Sequence, residues 1–68
     1  MNRTSIKDSL RQSPFKPFVI HLADGQTFQI EEPEDVAVSR TREVAVVFTT
    51  DHYHVVDITK ITSLEVLP

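Results

Sequence analysis

The chain contains no cysteine and no tryptophan, a single glycine (Gly25) and a single asparagine (Asn2). Without thiols it has no disulfide framework, no thiolate metal site and no cysteine nucleophile. One glycine cannot build a phosphate-cradling loop. None of Ser5, Ser9, Ser13, Ser39 and Ser63 stands in a Gly-x-Ser-x-Gly elbow. No apolar run approaches the roughly 18–20 residues of a membrane helix. Residues 1–7 lead into no apolar signal segment. These absences leave nucleotide and nucleophilic chemistry without a platform, and the expectation is a non-enzymatic, cytosolic protein without a cofactor.

The chain has 68 residues, 40% of them apolar and 25% charged, which bounds it to one globular domain over residues 1–68. A core of that size rarely supplies more than about 3–5 kcal/mol of net stability. With disulfides excluded, tight packing and self-association are the remaining sources. The net charge of −3 is unevenly spread. Residues 1–16 hold Arg3, Lys7, Arg11 and Lys16 against Asp8 alone. Residues 17–35 hold Asp24, Glu31, Glu32, Glu34 and Asp35 with no lysine or arginine. A nucleic-acid binder is usually basic overall or carries a basic stripe. Here only one end is weakly basic.

Periodicity places the elements. Thr4 or Ser5 caps a short helix over about residues 4–13, with Ile6 and Leu10 as its apolar stripe and Pro14 as its stop. Two turns cannot stand alone, so this helix docks on an end or edge of a sheet. Residues 18–22 alternate, with Phe18, Ile20 and Leu22 on one face and Val19 and His21 on the other. Asp24-Gly25 then separates this run from a second one carrying Phe28 and Ile30 inward. Asp-Gly between two period-2 runs is the strongest short-range hairpin signal, because the turn needs a positive φ that glycine adopts freely.

Pro33 marks a turn, and Val36-Ala37-Val38 is a short extended piece after it. Residues 43–50 form the longest β-branched stretch. Val44, Val46 and Phe48 face one way, and Ala45, Val47 and Thr49 the other, so the strand is expected to be covered on both sides. Further strands are expected at residues 52–58 and 62–67, the latter with Leu64 and Val66 inward. A single helical turn near Ile58 and Ile61 joins them. One helix and five strands at hairpin spacing predict a mainly β fold, a five-stranded antiparallel and strongly bent small barrel without open edges.

This order of elements resembles the small barrels of the Sm-like and Src-homology type, the stretch from Leu22 to Ile30 being similar to the first hairpin of Sm-like proteins. The chain also resembles a family of short bacterial proteins with Pro-Phe-x-Pro-Phe, a Leu-Ala-Asp-Gly hairpin, a Pro-Glu turn and Val-Asp near the end. Here these are Pro14-Phe15-Lys16-Pro17-Phe18, Leu22 to Gly25, Pro33-Glu34 and Val56-Asp57. The Sm-like resemblance implies edge-to-edge pairing of subunits into a homo-oligomer or ring, and RNA or single-stranded nucleic-acid binding as the alternative. RNA-binding members carry an Asp/Asn pair after strand two and Arg-Gly or Lys-His before strand five. Residues 32–38 and 57–61 carry neither.

Three constellations bear on chemistry. His52 and His54, two apart on a strand, share a face and are weak candidates for a metal, with Asp51, His21 or Asp57 as a third ligand. Glu31, Glu32, Glu34 and Asp35 form a solvated acidic turn without the glycine of a calcium loop. Of the aromatics, Phe18, Phe28 and Phe48 read as core, which leaves Phe15 and Tyr53. Paired-carboxylate catalysis needs a cleft, and a barrel this small has no room for one. The reading is a protein-contact module acting through Phe15, Val47, Tyr53 and His54, with itself or another protein as partner and no membrane.

Overall fold

In a computed structural model, which describes residues 2–68, the chain opens with helix α1, Arg3–Leu10. Its cap is Asn2, not Thr4 or Ser5. The Asn2 Oδ1 accepts from the Ser5 amide at 3.0 Å and from the Ser5 hydroxyl at 3.2 Å. Asparagine ranks among the strongest N-caps, and its carboxamide oxygen reaches the third helical amide directly. The helix ends at Leu10, earlier than the predicted residue 13, and the Arg11 amide that caps it donates to the Lys7 and Asp8 carbonyls. Ile6 is fully buried and Leu10 packs beside it, so the helix lays this stripe on the core near β3.

Six strands follow: β1 Phe18–Leu22, β2 Thr27–Ile30, β3 Val36–Val38, β4 Val44–Phe48, β5 Tyr53–Asp57 and β6 Ile61–Val66. They form two separate antiparallel sheets of three, ordered β2-β1-β6 and β3-β4-β5. The predicted closed five-stranded barrel is therefore not the fold. The sixth strand is the piece at Val36, and the reason for the open architecture lies at the two crossings between sheets. Closure needs strands that bend while keeping their ladder. Here both crossings are 3-10 turns, Pro33–Asp35 and Ile58–Lys60. Pro33 has no amide to give a ladder, and the Glu32 and Asp35 side chains cap that turn reciprocally. At the second crossing Asp57 accepts from the Thr59 amide and hydroxyl at 2.9 and 2.6 Å. Short polar side chains thus hold both crossings as turns, as expected at Pro33 and near Ile58, and the turns end the ladder that the expected closure needs.

The first hairpin is built on a three-residue loop. The Gly25 amide donates to the Leu22 carbonyl at 3.0 Å and the Leu22 amide to the Gln26 carbonyl at 2.9 Å. Asp24 accepts from the Gln26 amide at 3.0 Å. Gly25 has φ +92°, and no other described residue has a positive φ. That is a turn followed by a left-handed glycine, the usual three-residue hairpin solution.

Register decides which faces are inner. Phe18 and Ile20 are buried with Ile30, as their alternation predicts. In β6 the pairing slips between His21 and Leu22, so that Ser63 opposes His21 and Ile61 opposes Leu22. This bulge lets Ile61 and Leu64, three apart, both meet the core. Val66, expected inward, opposes Phe18 at the far end of β6 and is half exposed there. In β4 the inward pair is Ala45 and Val47, and Phe48 is 46% exposed, the reverse of its predicted core place. The core joins Ile6, Phe18, Ile20, Ile30, Val36, Ala45, Val47, Val56, Ile58 and Ile61 from the helix and both sheets. No helix among the described residues is long and apolar enough to cross a membrane.

Two substitutions test this account. A Cβ at Gly25 would meet nothing within 4 Å, so Gly25→Ala is opposed by its backbone angle alone. It is expected to cost about 1–2 kcal/mol, with Gly25→Asn recovering part of that. Ile58→Ala empties a fully buried position at the second crossing and is expected to cost about 2–5 kcal/mol, most of what a core this size supplies. Urea unfolding of each variant measures both.

Candidate functional site

Because the sheets do not close, the structure has the cleft that a barrel would have lacked. An open groove of about 740 Å³ runs along β5. All five residues of β5 line it, whichever way their side chains point, so one wall is the free edge of that strand. The facing wall is the β1–β2 hairpin, chiefly Leu22, Asp24, Gln26 and Phe28, and Lys60 lies at one end. The walls are held in place by the second crossing. The Ala23 amide donates to the Lys60 carbonyl at 2.9 Å, and the Ile58 amide to the Glu43 carbonyl at 3.0 Å.

The side chains named from sequence distribute unevenly around this groove. Tyr53 is 69% exposed and His54 is exposed beside it, with the imidazole 4.9 Å from the Phe28 ring, centroid to centroid. Val47 opposes His54 in the register but is 1% exposed, so it packs the core and offers no contact surface. Phe15 is half-buried against the core, its ring 6.1 Å from that of Phe18. Val55, 67% exposed, escaped the sequence reading, as did the surface role of Phe48. The signal for both was the two-sided apolar pattern of residues 44–48. Alternation alone does not say which face is inner when both are apolar.

The register makes those residues one surface. Val46 lies between Ala37 and Val55, and Phe48 opposes Tyr53. These residues, with Val44, form the outer face of the β3-β4-β5 sheet. On this face Ala37, Phe48, Tyr53 and Val55 are exposed and Val44 and Val46 half-buried. α1 lays Ile6 on the core.

The proposed metal ligands do not converge. His52 lies in the turn before β5, with Nδ1 at 2.7 Å from Asp51 Oδ1. His21 belongs to the other sheet, with Nε2 at 2.9 Å from Glu65 Oε1. Asp57 is engaged with Thr59. No group of three His, Cys, Asp or Glu residues arranged to hold a metal occurs among the described residues. The two carboxylates that do line the groove, Asp24 and Asp57, each cap a local turn.

The Thr59 hydroxyl, then the Thr59 amide, hold the Asp57 carboxyl below its ordinary value of 3.8, with a smaller pull from the Lys60 ammonium. Asp57 is therefore an ionised acceptor near neutrality, unsuited to donating a proton.

No protein-family model, curated protein or solved structure matches this chain.

The lowered pKa of Asp57 fixes a pH dependence. The folded form of Asp57 binds its proton less readily than the unfolded chain does, so its stabilising effect is complete above pH 3.8. It is lost as pH falls through the lowered folded value. The melting temperature of Asp57→Ala is expected to lie below that of the wild type at pH 6. The difference narrows toward pH 2, which thermal melts across that range measure.

Proposed function

We propose that this chain is a non-enzymatic protein-contact module whose working surface is its β5 side, the outer face of the β3-β4-β5 sheet together with the open strand edge. The observation that carries this reading is the exposure of Phe48, Tyr53 and Val55 on one sheet face, at 46%, 69% and 67%. Single exposed apolar residues are ordinary, but a contiguous apolar patch on a small domain marks a contact site. An aromatic anchor, an aliphatic neighbour and a strand edge offering main-chain hydrogen bonds are what a protein partner uses.

The groove chemistry favours this reading over the alternatives. Its carboxylates are committed to holding turns, so a general acid–base pair has no members there. Its aromatic surfaces, Tyr53 and Phe28, share the groove with one cation, Lys60, against two carboxylates. Single-stranded nucleic acid needs cations along its backbone as well as rings under its bases. Of the basic residues near the N-terminus, Arg3 is drawn to the Glu43 carboxylate and the Arg42 carbonyl.

A photoreactive phenylalanine analogue at Tyr53 tests the reading in living cells. It is expected to yield protein adducts on irradiation, whereas the same analogue at Gln29, on the polar outer face of the other sheet, yields none. Equal yields at both sites would remove the assignment of this surface. Fluorescence anisotropy of labelled oligonucleotides is expected to stay unchanged up to about 50 µM protein in about 50 mM salt, where electrostatic binding is strong.

A further inference from the structure

We infer that the partner on this surface is a second copy of the chain, joined by antiparallel pairing of β5 with β5 about a two-fold axis at Val55. This rests on the contact reading above and specifies its geometry. The first ground is a comparison of the four open edges. β2 runs into Glu31, Glu32 and Pro33, β3 is only three residues long and lies against α1, and β6 is bulged and carries Glu65. Acidic side chains, proline, shortness and bulges all oppose strand addition. β5 has five residues with no proline, glycine or bulge; its one charged residue, Asp57, stands at its end and is engaged with Thr59, and its edge faces an open groove.

The second ground is the register. A two-fold pair that keeps both outer faces on one side must oppose residues of like parity. Of those registers, only the one centred on Val55 pairs all five residues of each β5. Val55 then opposes Val55 of the second copy, and Tyr53 opposes Asp57 of the second copy. The existing rows continue across the axis. Ala37, Val46 and Val55 meet their own images to form one apolar row through six strands.

The third ground is charge. Lys60 makes no ion pair among the described residues. Antiparallel pairing about Val55 carries the Lys60 turn of one copy up to the Asp51–His52 turn of the other, and symmetry repeats this opposite-charge approach at the far end. The match is self-complementary, as an isologous interface requires. A five-residue strand pair is small, so the dimer belongs with weak interfaces and forms at high protein concentration.

Sedimentation equilibrium of the full chain at about 100 µM, a concentration suited to a weak interface, tests the inference. The wild type is expected at twice the monomer mass. Val55→Lys and Val55→Glu each place like charges on the axis and are expected to be monomeric. Mixing the two in equal amounts is expected to restore the dimer. The cysteine-free background supplies a second readout. Val55→Cys, oxidised with diamide, is expected to form a covalent dimer at least tenfold faster than Gln29→Cys, because only the axial residue meets its own image. Thermal melts confirm that each variant folds.

A monomeric wild type, or equal cross-linking rates for the two cysteine variants, overturns the pairing. If Tyr53 photoadducts to a different protein persist in that case, the contact module stands and its partner is not this chain. If adducts also vanish, both fall.

Discussion

The architecture depends on the 3-10 turn at Ile58–Lys60. Four constraints meet within it. The Asp57 carboxylate holds the Thr59 amide and hydroxyl, the Ile58 amide reaches the Glu43 carbonyl, the Lys60 carbonyl receives the Ala23 amide, and the Ile58 side chain is fully buried. The first closes the turn locally. The next two attach it to the loop before β4 and to the tip of the β1–β2 hairpin. The last seats it in the core shared by both sheets. A continuous bent strand at this place would have carried the ladder of one sheet into the other. The turn interrupts that ladder and fixes the gap beside β5.

The groove is therefore a consequence of how the sheets are joined. Its walls are tethered by backbone hydrogen bonds, and its carboxylates hold local turns. This explains why a cleft lined by Asp24, Asp57, Lys60 and His54 lacks the convergence that acid–base or metal chemistry requires. Its carboxylates are spent on shape. What remains is a strand edge and an apolar sheet face, the surface proposed above for contact with polypeptide.

Local chemistry was legible wherever a residue acts on its near neighbours. The Asp24-Gly25 hairpin, the alternation of Phe18, Ile20 and Leu22, the break at Pro33 and the helical turn near Ile58 all follow from conformational preferences of a few residues. The cap at Asn2 was readable by the same rule, yet Thr4 and Ser5 satisfied that rule equally on paper. The inner face of β4 was not legible. Val44, Val46 and Phe48 are as apolar as Ala45 and Val47, so alternation gave two equivalent answers. The burial of Val36 and Val56, which share the inner side with Ala45 and Val47, decided between them. That choice moved Val47 into the core and brought Phe48 and Val55 to the surface.

By itself the sequence determined five of the six strands, the turns that join them and the absence of thiol chemistry, because these depend on residue type and short-range spacing. Barrel closure was beyond its reach. Whether a chain with hairpin-spaced strands closes depends on whether the ladder survives at the corners. At Pro33–Asp35 and Ile58–Lys60 the side-chain caps and the missing proline amide end it. The tertiary structure alone decided that β5 has a free edge, and that Tyr53 and Val55 stand on it beside an open groove.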